Sequence, residues 1–184
     1  MTNKVAWDEV AAYYLSIQPA RSSFRDQNRE LDRLKQLDRE SLENLLKYEV
    51  HPTSSVRHVL LKEPAVTWSK RTLALGPLRM GPGAAYTDYC RTVSEDPERG
   101  TVEGFCTWLD SKPLSVLLAK DESITSFIPV RPIGADIGLL IVGDRDYRAA
   151  GQPLGDRILS GYHRAVVMYL LGRREACCYY ATKD

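Results

Sequence analysis

Hydrophobic side chains recur at helical spacing along the first fifty residues of the chain. From Trp7 to Ile17 an apolar residue returns every third or fourth position, which predicts an amphipathic helix. Leucines between residues 31 and 46 predict one or two further helices, interrupted near Asp38 and ending by Pro52. These helices either cover the sheet of the domain or each other, or they form a partner-binding arm, since their dense mixed charge keeps much of each helix in water.

The pattern changes further along the chain, where short apolar runs rich in β-branched residues alternate with helical segments. A short strand is predicted from Arg71 to Leu75 and a helix from about Thr101, and Pro113 begins a second helical piece. Two β-rich runs follow, Phe127 to Ile133 and Ile137 to Val142. Helices and strands in this mixed order predict an α+β fold.

A corner between a strand and a helix is the strongest candidate for chemistry. The apolar pair Ile158-Leu159 leads through Gly161 into a helical segment, and His163 and Arg164 fall in the first helical turn. Glycine permits a turn with positive φ, and the N–H groups of a new helix attract anions. Cations are disfavoured at that end of a helix unless something negative binds there. The corner therefore predicts a phosphate site.

Each side chain of this corner has a chemical and a structural interpretation. The Arg164 guanidinium is suited to two phosphate oxygens, and His163 to a hydrogen bond to the same group or to proton transfer. The structural alternative is an exposed pair in the first turn that binds no ligand. Tyr162 either stacks on a base or packs against the domain.

The segment from Gly143 to Arg157 is too long and too charged for a simple hairpin turn. Its acidic and basic side chains are Asp144, Asp146, Asp156, Arg145, Arg148 and Arg157. The arginines are candidates for nucleic-acid backbone contacts, and the aspartates for holding Mg²⁺, which would activate water for phosphate-ester cleavage. Alternatively, the opposite charges pair with each other in a solvated loop.

Composition and charge limit the classes of protein to which the chain can belong. The chain has 184 residues, of which 43% are hydrophobic, and a net charge of +1, so it can form a core but has no global basic field for nucleic acid. Its cysteines have no C-x-x-C spacing, and Cys177 and Cys178 should point to opposite faces of a strand. We expect a soluble, cytoplasmic protein with a helical extension at residues 1–62 and a domain at 63–184.

The corner is followed by Leu171-Gly172 and a β-rich run from Glu175 to Ala181. A strand, Gly-x-His-Arg, an alanine-containing helix, Leu-Gly and a closing strand together resemble the end of a ParB/sulfiredoxin-type domain. The resemblance implies a small mixed sheet with flanking helices, here with an amino-terminal helical extension. It also implies that Gly161, Tyr162, His163 and Arg164 bind nucleotide phosphates, with ATP as the ligand.

Two positions depart from the pattern of that superfamily. Tyr162 stands where sulfiredoxins have a reactive cysteine, so repair of sulfinic acid is not expected. Ser160 replaces an acidic residue that several relatives have before the glycine. Catalysis would then depend on His163 and on the loop carboxylates Asp144, Asp146 and Asp156.

The superfamily includes plasmid fertility-inhibition proteins of similar size. Resemblance to them implies inhibition of type IV secretion and conjugative transfer, through contact with a component or substrate of the secretion system. ATPase and DNA-cleaving activities would accompany that role. The alternatives are a small-molecule kinase of the same superfamily, and a non-catalytic adaptor whose phosphate site has degenerated.

Overall fold

The computed structural model describes residues 3–18, 24–80, 100–110, 139–148 and 155–183. The predicted strand from Phe127 to Ile133, the helical piece after Pro113 and the middle of the charged loop lie outside these ranges. The described strands are β1 (Asn3–Val5), β2 (Val66–Ala74), β3 (Leu140–Gly143), β4 (Arg157–Ser160) and β5 (Glu175–Lys183). The described helices are α1 (Trp7–Ser16), α2 (Phe24–Leu34), α3 (Arg39–Glu49), α4 (Ser55–Lys62), α5 (Val102–Asp110) and α6 (Tyr162–Leu170).

The five strands form one mixed sheet in the order β1-β2-β5-β3-β4. The pairs β1–β2, β2–β5 and β3–β4 are antiparallel, whereas β3 and β5 run parallel, with Leu140 opposite Cys178. Strand β5 therefore lies in the middle of the sheet and is paired on both sides. The mixed sheet and its flanking helices confirm the predicted α+β class.

Helices cover both faces of this sheet. Successive side chains of a strand point to opposite faces, and β5 follows that rule: Cys178 and Tyr180 belong to the hydrophobic cluster beneath α5 and α6. Tyr179 and Ala181 belong to a second cluster, which they share with α1, α3 and α4. The described part of the chain thus has three layers, with the sheet between two sets of helices.

The amino-terminal helices pack on the sheet, as one of the two sequence interpretations predicted. Leu15 of α1 and Leu42 and Leu46 of α3 are fully buried in the cluster on that face. The predicted interruption near Asp38 is the start of α3, where the Asp38 carboxylate accepts a hydrogen bond from the Ser41 N–H at 2.8 Å. A carboxylate at this position satisfies one of the unpaired donors of the helix and favours its positive end.

Two described elements were not predicted. Strand β1 has three residues and adds to the edge of β2, and α4 has eight residues after Ser54. The indole Nε1 of Trp7 donates to the Leu60 carbonyl at 2.9 Å, which fixes α1 against α4. Among the described residues, no helix combines the length and the apolar character needed to cross a bilayer.

Candidate functional site

The predicted corner between strand and helix is present. Strand β4 ends at Ser160, Gly161 has φ 101°, and α6 begins at Tyr162. A Cβ atom at Gly161 would lie 2.8 Å from Leu140 Cδ2 and 3.0 Å from Arg164 Nη2. Both the positive φ and the close approach of these side chains require glycine here. Arg164 therefore lies directly against the turn.

A pocket of about 400 Å³ opens between this corner and the start of α4. Its volume is in the range of about 300–1,000 Å³ that is typical of small-molecule sites. Four parts of the chain form its wall: Tyr14 of α1, Thr53 to Ser55 before and within α4, Leu159 and Ser160 of β4, and Gly161, Tyr162 and Arg164 of the corner. Most of these residues carry hydroxyl groups, and the charged residue among them is Arg164.

Two helices begin at this pocket. The Ser54 hydroxyl accepts a hydrogen bond from the Arg57 N–H at 3.1 Å, and so caps α4. Gly161 precedes α6 and offers no side chain to cap it. Each helix places the positive end of its dipole and first-turn N–H groups at the same cavity. This arrangement favours a negatively charged ligand.

The Arg164 guanidinium is oriented by a tyrosine from the amino-terminal helix. Arg164 Nη1 donates to the Tyr13 hydroxyl oxygen at 2.8 Å, and that hydroxyl in turn donates to the Leu139 carbonyl at 2.6 Å. Arginine has no acceptor and a carbonyl has no donor, so the direction of both bonds is determined. Burial raises the pKa of Tyr13 above its ordinary value, although Arg164 opposes this. Tyr13 is therefore neutral at physiological pH.

A second tyrosine of α1 holds the opposite wall. Tyr14 is 6% exposed, and its hydroxyl lies 2.6 Å from the Ser54 Oγ atom. Burial raises the pKa of this phenol too, and the hydrogen bond to Ser54 works in the opposite direction. Tyr14 thus fixes the N-cap of α4 beside the cavity.

Tyr162 both lines the pocket and packs against the hydrophobic cluster beneath α5 and α6. The structure places the backbone of His163 in the first turn of α6 but does not describe its side chain. The roles of His163 in hydrogen bonding and proton transfer stay predictions.

The loop carboxylates have separate structural partners. Asp144 accepts from Arg145 Nη2 at 2.8 Å and from the Tyr147 hydroxyl at 2.6 Å. Burial opposes ionisation of Asp144, but these donors outweigh it and hold the pKa of its carboxyl below the ordinary value of 3.8. Asp156 accepts from the Tyr180 hydroxyl at 2.5 Å. These bonds tie the loop to the end of the sheet.

Asp146 pairs with Arg157 at 3.3 Å, and both side chains are largely buried. In the ranges that the structure describes, no three acidic, histidine or cysteine side chains are grouped to hold a metal ion. Asp144 pairs with Arg145 and Asp146 with Arg157, so two of the three aspartates pair with loop arginines. This agrees with the alternative of mutual pairing.

Strand β4 lies between the described carboxyl-terminal end of this loop and the corner. Gly143 pairs with Arg157 at one end of the β3–β4 ladder, and Ile141 pairs with Ser160 at the other. The described residues next to β3 and β4 at the loop's two ends thus lie at the opposite end of these strands from the Gly161 turn. Among the described loop residues, Arg148 reaches towards the pocket, because its Nη1 donates to the carbonyl of Thr53, which lines the pocket.

The buried thiol of Cys178 is not suited to nucleophilic chemistry. Cys178 is buried and Cys177 is exposed, which confirms that they point to opposite faces of β5. Burial raises the pKa of Cys178 to about 12, so that thiol stays protonated and unreactive.

No protein-family model matches the chain, and neither a curated protein nor a solved structure does so. The ParB/sulfiredoxin resemblance therefore stays a prediction from the sequence. The pocket is supported by its geometry in the structure. Tyr13, Tyr14 and Ser54 contribute to that geometry, although no role was predicted for them from the sequence. The sole sequence signal for any of them was the Ser-Ser pair after Pro52, which is typical of a helix start.

Proposed function

We propose that this protein binds a phosphorylated small molecule, namely a nucleotide, with its phosphate at Gly161 to Arg164. The observation that carries the proposal is the convergence of Arg164 and two helix N-termini on one cavity of about 400 Å³. Backbone N–H groups at a helix start and a guanidinium are the donors that phosphate oxygens prefer. The hydroxyls of Thr53, Ser55 and Ser160 would complete the shell.

Binding, rather than catalysis, is the function that this geometry supports best. Mg²⁺ would enter as the counterion of ATP, because the described carboxylates form no group that holds a metal. ATP hydrolysis and DNA cleavage need an activated water, and His163 is the candidate base nearest in sequence to the proposed phosphate. Both activities stay expectations from the family resemblance.

Isothermal titration with ATP tests the binding proposal. Arg164→Ala removes a charge-assisted contact of about 1.5–3 kcal/mol, so the affinity should fall by about 10-fold or more. Arg173→Ala is the matched control, because Arg173 is an exposed arginine that does not line the pocket. If the Arg164 variant binds ATP as tightly as the parent, the phosphate site lies elsewhere.

One observation favours a second candidate, the adaptor with a degenerate site. Arg164 donates to the Tyr13 hydroxyl, so the guanidinium has a structural role of its own. An adaptor should keep its partner and its biological effect in the Arg164→Ala variant. A small-molecule kinase would instead consume ATP only in the presence of a particular acceptor.

The wider role, inhibition of plasmid conjugation by contact with a type IV secretion component or its DNA substrate, rests on the sequence resemblance. It is tested by expressing the chain in a donor strain and counting transconjugants. The parent should lower transfer. If Arg164→Ala lowers transfer equally, inhibition does not depend on the phosphate site; if neither protein lowers it, the role is refuted.

A further inference from the structure

Arg148 reaches the rim of the pocket from the far end of the sheet. Its Nη1 donates to the carbonyl of Thr53, a residue of the pocket wall, and its side chain is exposed. Its backbone N–H donates to Asp146 Oδ1 at 2.9 Å, and Asp146 pairs with the largely buried Arg157. The base of Arg148 is thus anchored to the sheet, while its charged end lies in water beside Thr53.

The charge inside the pocket suits one phosphate group. Arg164 contributes one positive charge, and each of the two helix N-termini contributes about half a charge. The sum of about +2 matches a phosphate monoester, which carries about −1.5 to −2 at neutral pH. A second phosphate adds negative charge that the residues of the described wall do not neutralise. A further cation at the rim would be needed.

We propose that Arg148 is a specificity-determining residue that contacts the second phosphate of the ligand, so that the pocket prefers diphosphates over monophosphates. This inference rests on the proposed phosphate site. Arg148 now donates to a neutral carbonyl oxygen of Thr53, and exchanging that acceptor for an anionic phosphate oxygen adds the attraction between opposite charges. The exposed side chain can turn from the carbonyl to the ligand without disturbing the buried pair beneath it.

The test compares ligands that differ by one phosphate. Titrations of the parent with AMP and ADP, and with inorganic phosphate and pyrophosphate, measure the preference with and without a nucleoside. Arg148→Ala should lower the affinity for ADP and pyrophosphate by about 10-fold, and should change the affinity for AMP and phosphate by less than about two-fold. Arg148→Lys keeps the charge and should retain part of the preference. Arg173→Ala, an exposed arginine away from the pocket, should change neither ligand.

Arg164→Ala separates the two proposals. If Arg164→Ala lowers the affinity for all four ligands, the phosphate site is supported. If Arg148→Ala then leaves the ratio of ADP to AMP affinity unchanged, the specificity role of Arg148 is refuted. If Arg148→Ala weakens AMP as much as ADP, Arg148 is a general electrostatic contact and the inference is also refuted. If the parent binds none of the four ligands, both proposals fail.

Discussion

Replacing Gly161 by alanine tests the strand-to-helix corner most directly. The turn combines a φ of 101° with a position where a Cβ atom would meet Leu140 Cδ2 at 2.8 Å and Arg164 Nη2 at 3.0 Å. Gly161→Ala should therefore lose stability for two separate reasons, a left-handed backbone and steric crowding. Another glycine of the chain provides a control in which only the backbone effect applies. Gly172 also has a positive φ, 84°, and a Cβ atom added there would have no heavy atom of the described residues within 4 Å.

The two penalties have different sizes. A left-handed backbone costs a residue other than glycine about 1–2 kcal/mol, which is the whole expectation for Gly172→Ala. Overpacking against Leu140 adds about 1–3 kcal/mol, so Gly161→Ala should lower the free energy of unfolding by about 2–5 kcal/mol. Stability of a typical domain is only about 5–15 kcal/mol, so this is a large fraction of it. The new methyl group also displaces Arg164, so ATP affinity should fall.

Urea unfolding of both variants, followed by circular dichroism, measures the difference. Gly161→Ala should unfold at a clearly lower urea concentration than Gly172→Ala, with similar slopes. Equal destabilisation would mean that Leu140 and Arg164 move aside without cost, and the tight corner would then be refuted as the reason for glycine. A Gly161→Ala protein that binds ATP like the parent would contradict the placement of the phosphate.

Asp146→Asn should destabilise the fold by about 1–3 kcal/mol, because it leaves the charge of Arg157, whose side chain is 14% exposed, without its partner. Glu30→Gln is the control, because it breaks an ion pair whose Arg33 side chain is 55% exposed. It should lower the free energy of unfolding by less than about 1 kcal/mol in the same urea experiment. Equal losses for the two variants would contradict the claim that the Asp146–Arg157 pair stabilises the fold. The folded pKa of Asp144 is depressed, so its contribution to stability is present above about pH 4 and is lost as the pH falls through the depressed value. The melting temperature should therefore fall less steeply from pH 7 to pH 3 in Asp144→Asn than in the parent. Parallel falls would refute the contribution of the Asp144 carboxylate to stability.

Local patterns predicted the elements that carry their own signal. Helix α1 shows helical periodicity, α3 has a capping aspartate at its start, and β5 is a continuous β-rich run. Strand β1 has only three residues and lacks such a signal. The first half of β2 carries one that was not used, because Val66, Thr67, Trp68 and Ser69 alternate between apolar and polar residues. Trp68 is buried on the face that α1 and α4 cover.

The same limit applies to the site. The Gly161 turn was recognisable because its strand, glycine and helix are consecutive. Arg164, in the helix that follows this turn, donates to Tyr13, which lies 151 residues away in sequence. No local sequence pattern indicates that contact. The aspartates of the loop are near Gly161 in sequence, but the four residues of β4 lie between Asp156 and that turn.

The central position of β5 has a consequence for how the protein is made. Thr67 of β2 bonds to Thr182 of β5, 115 residues further along the chain. During synthesis β2 emerges long before β5, which pairs with its other edge, and β3 also waits for β5. Pairing across such separations is slow, and unpaired strand edges invite association with other chains. The nascent chain must therefore keep these edges apart until β5 leaves the ribosome, a period in which a chaperone would have most effect.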